Sequence, residues 1–196
     1  MRWLMKHNIT LALLNWNGNL LATTLPPTPK SGKLRVRQYQ NYCNFEQRFK
    51  IASEIVNDKV LHTANLLKEL SEYYKEIGIV DIDKIFERKK RMDTLQRRKS
   101  IDNLMNYEVR IATFYWEQLA KVFNKLYPNF HFKSRENKSY SWNNNAYDEV
   151  NALLNYGYAI LEAEIRKCIN AVGLDPAIGF LHETTESKTS LVFDLQ

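Results

Sequence analysis

The stretch from Ile101 to Leu126 reads Ile-Asp-Asn-Leu-Met-Asn-Tyr-Glu-Val-Arg-Ile-Ala-Thr-Phe-Tyr-Trp-Glu-Gln-Leu-Ala-Lys-Val-Phe-Asn-Lys-Leu. Its apolar side chains recur at steps of three and four residues, which places them on one face of an α-helix. The polar side chains fall on the opposite face, as in a helix that packs on a core and faces water on its other side. The pattern therefore predicts a long amphipathic helix, whose apolar stripe consists of Leu104, Ile111, Tyr115, Leu119 and Val122.

Helical patterns also dominate the sequence on either side of this stretch. Apolar residues at helical spacing extend from Phe45 to Tyr74, and the simplest explanation for them is the core seam of a helical bundle. A later helix is predicted to end at Gly173, just before Asp175 and Pro176, because glycine commonly follows a helix and proline does not continue one. The chain is therefore predicted to be mainly α. Further helices are expected near residues 82–96, over 146–172 and from Ser190 onward.

The N-terminal part has a different pattern. Residues 9–15 and 20–25 are β-prone, and the Asn-Gly pair at Asn17 and Gly18 between them is a strong tight-turn signal. Residues 26–33 read Pro-Pro-Thr-Pro-Lys-Ser-Gly-Lys, and their prolines lack the backbone N–H that a helix or strand uses. We therefore expect a β-hairpin within residues 1–25, a linker over 26–33 and a helical domain over 34–196.

The composition is that of an ordinary intracellular chain. Its 196 residues suit one or two domains that bury a core without disulfides or metal staples. The two cysteines have no paired spacing, which favours a reducing compartment. The longest apolar run, residues 9–14, is too short to span a bilayer or to act as an export signal. We expect a cytoplasmic protein without a membrane segment.

The net charge of +6 is concentrated in residues 84–99, where eight basic residues face two acidic ones. Such a density is the electrostatic footprint expected for binding to phosphate backbones, because neutralised phosphates release their condensed counterions. A solubilising helical face explains the same charges equally well. The candidate DNA-binding residues of this stretch are Arg88, Lys89, Lys90, Arg91, Arg97, Arg98 and Lys99.

Glu108 interrupts the apolar stripe of the helix at 101–126, although the opposite face has room for a solvated carboxylate. A carboxylate turned toward a core stays charged only beside a metal ion, a cationic side chain or several hydrogen-bond donors. For a single glutamate, an ion pair or a helix–helix hydrogen bond is more common than a metal. Both interpretations remain open at this point.

Three segments resemble a known family closely in order, spacing and residues. They are Asp148-Glu-Val-Asn-Ala-Leu-Leu-Asn-Tyr-Gly-Tyr-Ala-Ile-Leu161, Leu174-Asp-Pro-Ala-Ile-Gly-Phe-Leu-His182 and Ser190-Leu-Val-Phe-Asp-Leu195. The family is the DNA integrase/endonuclease of CRISPR spacer acquisition, and the resemblance covers nearly the whole chain. Residues 1–25 are similar to the end of its N-terminal β domain, with a helix end and a hairpin, and residues 34–196 to its helical catalytic domain.

The resemblance implies a metal site. A glutamate, a histidine and an aspartate of the family bind Mn²⁺ or Mg²⁺, and by matching motif they correspond to Glu108, His182 and Asp194. Carboxylate oxygens suit hard cations, and the imidazole nitrogen makes Mn²⁺ the more plausible of the two. Lys188 is similar to a basic residue that the family places near the metal. All four are candidate catalytic residues.

The family's activity is phosphoryl transfer on DNA. It joins strands when a DNA 3′-hydroxyl attacks and cuts them when water attacks, which inserts short foreign-DNA fragments into the CRISPR array. The resemblance thus implies double-stranded and branched DNA as substrates. It also implies a homodimer and a small ferredoxin-like partner protein of CRISPR adaptation.

Two departures from the family pattern lead us to expect an impaired fragment in which the dimer is weakened. The family's N-terminal β domain is much longer than 25 residues, and its second acidic residue, three positions beyond Asp194, would fall after Gln196. A helix from Ser190 to that end is marginal by itself, so we expect Asp194 to be poorly held. Two other hypotheses stay open: a basic helical DNA-binding module without catalysis, and a structural bundle whose Glu108 forms an ion pair.

Overall fold

The structure is a computed structural model of the chain. It describes residues 2–7, 9, 11–16, 20–24, 32–78, 99–135, 146, 148–184 and 189–196. The helix expected near residues 82–96, most of the expected linker and the hairpin turn at residues 17–19 lie outside these ranges.

The described chain is mainly α-helical and carries one two-stranded sheet near its N-terminus, which confirms the predicted fold class. The helix expected at 101–126 has those bounds, and the one expected from 146 begins three residues later. None of the described helices is both long enough and apolar enough to cross a membrane. The helices are α1 (Arg2–Lys6), α2 (Lys33–Cys43), α3 (Phe45–Tyr73), α4 (Ile101–Leu126), α5 (Glu149–Val172) and α6 (Ser190–Leu195).

The hairpin pairs β1 (Ala12–Leu14) with β2 (Leu20–Thr23) in antiparallel fashion, so both strands are shorter than the β-prone runs that contain them. The pairing skips one residue of β2 between Leu13 and Leu14, which makes a bulge. Beyond the strands, Leu11 and Thr24 exchange two hydrogen bonds, one to the Thr24 hydroxyl at 2.8 Å and one to the Leu11 carbonyl at 3.0 Å.

The chain forms two compact units. The first unit comprises residues 1–48, 141–147 and 152–196, and the second comprises residues 49–140 and 148–151. In the second unit, the predicted stripe of α4 is buried except at Tyr115, which is half-buried. Phe132, which follows α4 in the chain, is fully buried and packs edge-on against Trp116 and Phe123 of α4. The buried side chains of α3 in this unit are Phe49, Ala52, Ser53, Val56, Val60, Ala64 and Leu67.

Candidate active site

The site begins where α5 ends in the first unit. Gly173 adopts a φ of 93°, a left-handed value that glycine tolerates best, and its N–H bonds the Asn170 carbonyl at 3.1 Å. The N–H of Leu174 reaches back to the Ile169 carbonyl at 3.0 Å. These two bonds are those of a Schellman motif, which stops the helix and turns the chain. The segment that follows, residues 173–182, is called the His182 loop below.

Helix α2 holds the first half of the His182 loop. The buried amide of Gln38 accepts a hydrogen bond from the Asp175 N–H at 2.8 Å and donates to the carbonyls of Asp175 and Ile178, both at 2.9 Å. The Tyr39 hydroxyl donates to Oδ2 of Asp175 at 2.7 Å. Asp175 also accepts the Ala177 N–H on Oδ1 at 2.9 Å, which closes a local turn.

Asp194 of α6 holds the second half of the loop. Its Oδ2 accepts the N–H groups of Phe180 at 2.5 Å and Leu181 at 3.0 Å, and its Oδ1 accepts the N–H of His182 at 2.9 Å. The fourth bond joins Oδ1 to Nδ1 of the His182 ring at 2.8 Å. Asp194 is completely buried. Our expectation that Asp194 is poorly held is therefore wrong, because four hydrogen bonds within the unit fix a side chain that its short helix could not fix alone.

The surroundings of Asp194 determine whether its carboxyl group is charged. Burial by itself raises the pKa of Asp194, but the bonds from the His182 ring and from the amides of His182, Leu181 and Phe180 together hold the pKa below its ordinary value. The carboxyl is thus ionised at neutral pH, and Nδ1 of His182 supplies the proton in their hydrogen bond. In the neutral ring, Nε2 then carries the lone pair. No residue in the described ranges hydrogen-bonds Nε2, and the side chain is 39% exposed.

Gly179 lets α6 approach the loop this closely. A Cβ built on Gly179 would lie 2.8 Å from Oδ2 of Asp194 and 2.8 Å from both the carbonyl carbon and Cβ of Ser190. Real Cβ atoms do not approach other atoms so closely, so the space here requires glycine. Directly after the loop, the Ser190 hydroxyl donates to the Glu183 carbonyl at 2.8 Å.

Glu108 lies in the second unit, on α4. Its Oε1 is 2.9 Å from Nζ of Lys59 on α3, and the two side chains are 21% and 23% exposed, respectively. The carboxylate that interrupts the apolar stripe therefore has the cationic partner that the structural hypothesis expects.

The structure brings two of the predicted metal ligands, His182 and Asp194, into direct contact within the first unit, while Glu108 belongs to the second. Lys188 and six of the seven predicted DNA-binding residues lie outside the described ranges, and Lys99 is exposed. Within either unit, the described residues contain no cluster of three or more His, Cys, Asp or Glu side chains suited to a metal ion. The contact of Gln38 with the loop could not be predicted, because a glutamine on a polar helix gives no sign of a loop more than 130 residues away.

The sequence matches the family model described as CRISPR associated protein Cas1 over residues 1–196. The chain belongs to the Cas1 family. A CRISPR-associated endonuclease Cas1 of Archaeoglobus fulgidus is 28% identical over 202 aligned residues, which cover 98% of this chain and 57% of that protein. A CRISPR-associated protein Cas1 of Methanobrevibacter ruminantium is 30% identical over 207 aligned residues, covering 100% of this chain and 58% of that protein.

Solved structures of Cas1 and casposase proteins share the fold. A casposase bound to its integration product superposes with a TM-score of 0.83 at 36% identity, over 98% of this chain and 51% of that one. A Cas1 protein of Thermotoga maritima gives a TM-score of 0.77 at 25% identity, over 98% and 57%. The chain therefore spans a little more than half the length of these three Cas1 proteins.

The hydrogen bonding of His182 is that of a metal-ligating histidine. Metal-ligating histidines commonly donate one ring N–H to a carboxylate and bind the ion through the other nitrogen, which is the state in which Asp194 holds His182. Asp194 itself uses both oxygens in hydrogen bonds, so its part in the described site is to hold the ring. Direct ligation by Asp194 would require at least one of its four hydrogen bonds to break.

Proposed function

We propose that this Cas1-family chain carries the site of a metal-dependent DNA endonuclease and integrase, which inserts short foreign-DNA fragments into a CRISPR array. The observation that carries the proposal is the contact of His182 with the buried Asp194, since an ionised carboxylate there presents Nε2 as a ligand atom. Family membership supports the chemistry, because relatives are described as endonucleases and one similar casposase was solved with an integration product.

The residues proposed for metal-dependent transfer are Glu108, His182 and Asp194, with Lys188 as a cation for a phosphate or a leaving oxygen. Mn²⁺ or Mg²⁺, when bound, would supply Lewis-acid chemistry that polarises the scissile phosphate and stabilises developing charge on oxygen. His182 would bind through Nε2, and Asp194 would keep the ring in the tautomer and orientation that this requires. Glu108 enters the proposal through the family resemblance.

The substrates and partners proposed are those of spacer acquisition. Double-stranded and branched DNA would bind the basic stretch at residues 84–99, whose surplus of positive charge suits phosphate backbones. A second copy of the protein and a small ferredoxin-like partner protein are proposed from the family resemblance. We propose that the protein works in the cytoplasm, where the CRISPR array lies.

Strand transfer and cleavage on a branched DNA substrate, with Mn²⁺ present or chelated, test this function. We expect weak activity that chelation abolishes, and that Glu108→Ala and His182→Ala each lower by at least about 100-fold, which exceeds the usual cost of losing an outer-shell partner. Glu117→Ala is the matched control, because Glu117 is an exposed carboxylate on the same helix as Glu108. Activity that persists in both variants or without metal would overturn the proposal.

A basic DNA-binding module without catalysis is the second candidate, favoured by the eight basic residues at 84–99. Binding through those residues should weaken steeply with salt and should not respond to Mn²⁺. Filter binding of the chain to duplex DNA across a salt series, with and without Mn²⁺, separates the two. Salt-sensitive binding accompanied by no metal-dependent chemistry in the assay above would favour this candidate.

A further inference from the structure

We propose that Gln38 is the positioning residue of the His182 loop, which it fixes in the one arrangement that seats the His182 ring on Asp194. Gln38, the His182 loop and Asp194 all belong to the first unit. Only the expected change in metal affinity rests on the proposed function. The arrangement of the ring can be measured without any metal.

The hydrogen bonds of Gln38 leave no group of its amide unused. A glutamine amide has two N–H donors and one carbonyl acceptor, and here the acceptor takes the Asp175 N–H while the two donors serve the Asp175 and Ile178 carbonyls. The side chain thereby pairs with both backbone groups of Asp175, as a neighbouring strand would. Only 3% of Gln38 is exposed, so water cannot replace these partners without opening the loop.

Each residue of the loop from Ile178 to His182 has a contact that holds it in place. The Ile178 carbonyl is held by Gln38, Gly179 lies against Ser190 and Asp194, and the Phe180 carbonyl accepts Nε of Arg48 at 2.9 Å. The N–H groups of Phe180, Leu181 and His182 then converge on Asp194. Because these contacts follow one another along the chain, a shift of the backbone at Ile178 should also move the His182 ring.

Glutamate and methionine are similar to glutamine in size, but neither could make all of these hydrogen bonds. A glutamate at this position keeps the acceptor for the Asp175 N–H but turns a charged oxygen toward two carbonyl oxygens, and these repel it. A methionine keeps a similar length but leaves the Asp175 N–H and the Ile178 carbonyl without the amide, and the Asp175 carbonyl then keeps only the Ile178 N–H, at 3.3 Å. Gln40, exposed on the same helix, offers the matched control, because Gln40→Glu makes the same chemical change away from the loop.

The test is ¹⁵N and ¹H NMR of the histidine rings in the metal-free chain near pH 7.5, with the His182 signals assigned by their loss in His182→Ala. We expect the unaltered chain and Gln40→Glu to show one tautomer with a protected Nδ1 proton. Gln38→Glu and Gln38→Met should lose that protection while each still unfolds cooperatively in urea. Two variants are used so that one remains if the other fails to fold, and if neither folds the role is structural and the proposal fails.

Mn²⁺ affinity, measured by electron paramagnetic resonance, is the second readout. We expect Gln38→Glu and Gln38→Met to weaken Mn²⁺ binding by about 10-fold or more, the range found when an outer-shell partner of a ligand is lost, and Gln40→Glu to leave it unchanged. If Mn²⁺ binding depends on His182 but neither ring nor affinity responds to the Gln38 variants, the positioning role is wrong and the proposed function stands. If the ring responds but the chain binds no Mn²⁺, the positioning role stands and the metal-dependent function fails.

Discussion

Nζ of Lys59 lies 2.9 Å from Oε1 of Glu108, and this ion pair joins α3 to α4 in the second unit. Each side chain keeps only about a fifth of its surface exposed. The pair explains how a carboxylate can sit within an otherwise apolar stripe without a metal. It does not by itself assign Glu108 to structure, because a metal-site carboxylate also benefits from a nearby cation when no ion is bound.

Replacing Glu108 with alanine separates the two roles. The pair is partly exposed, so its loss should change the free energy of unfolding by no more than about 1 kcal/mol, while metal-dependent strand transfer should be lost and DNA affinity kept. Urea unfolding, strand transfer and DNA binding of the same preparation give the three quantities. Unaltered activity together with a large loss of stability would assign Glu108 to the structural pair instead.

Asp194→Asn should destabilise the first unit far more than a surface change of the same kind. The amide keeps one acceptor oxygen but turns an NH₂ group toward N–H donors that are now unsatisfied, which costs about 3 kcal/mol or more. Urea unfolding of the metal-free chain measures this cost. Asp102→Asn, at an exposed position in the first turn of α4, is the control and should cost less than about 1 kcal/mol. Equal costs for the two substitutions would show that the four bonds of Asp194 contribute little.

Some of this architecture could be predicted from the sequence, and the reason is its local origin. The three-and-four spacing fixes α4 and exposes Glu108 as an anomaly, and Asn17-Gly18 between β-prone runs indicates the hairpin. The hydrogen bonds between Gln38 and Asp175 could not be predicted, because the two residues are 137 positions apart. The groups that Gln38 binds are backbone groups, which are nearly the same in every residue type. The burial of Asp194 depends likewise on the closing of a loop rather than on any pattern within α6.

The stability of the metal-free chain should depend on pH through Asp194. Its pKa is lower in the folded chain than in the unfolded one, where about 3.9 is usual, so its contribution is fully present above that value and is lost as the pH falls through the folded pKa. We therefore expect the difference in unfolding free energy between the unaltered chain and Asp194→Asn to narrow as the pH falls below about 4. Urea unfolding at each pH measures it. A difference that did not narrow between about pH 4 and pH 2 would contradict an ionised Asp194.

Gly179→Ala and Gly157→Ala should change stability in opposite directions, although the chemical change is the same. At Gly179 the new methyl group would lie 2.8 Å from Oδ2 of Asp194 and from the backbone of Ser190, so α6 must move away from the His182 loop. Overpacking of this kind costs about 1–3 kcal/mol, and the shift should also disturb the hydrogen bond between Asp194 and His182.

Gly157 lies in the middle of α5 with nothing within 4 Å of its added Cβ, so alanine there should stabilise the helix by up to about 1 kcal/mol. Urea unfolding gives both signs, and the NMR signal of the His182 Nδ1 proton should be lost in Gly179→Ala only. If Gly179→Ala left that signal and the unfolding free energy unchanged, the close approach of α6 to the loop would not be what seats the histidine on its carboxylate.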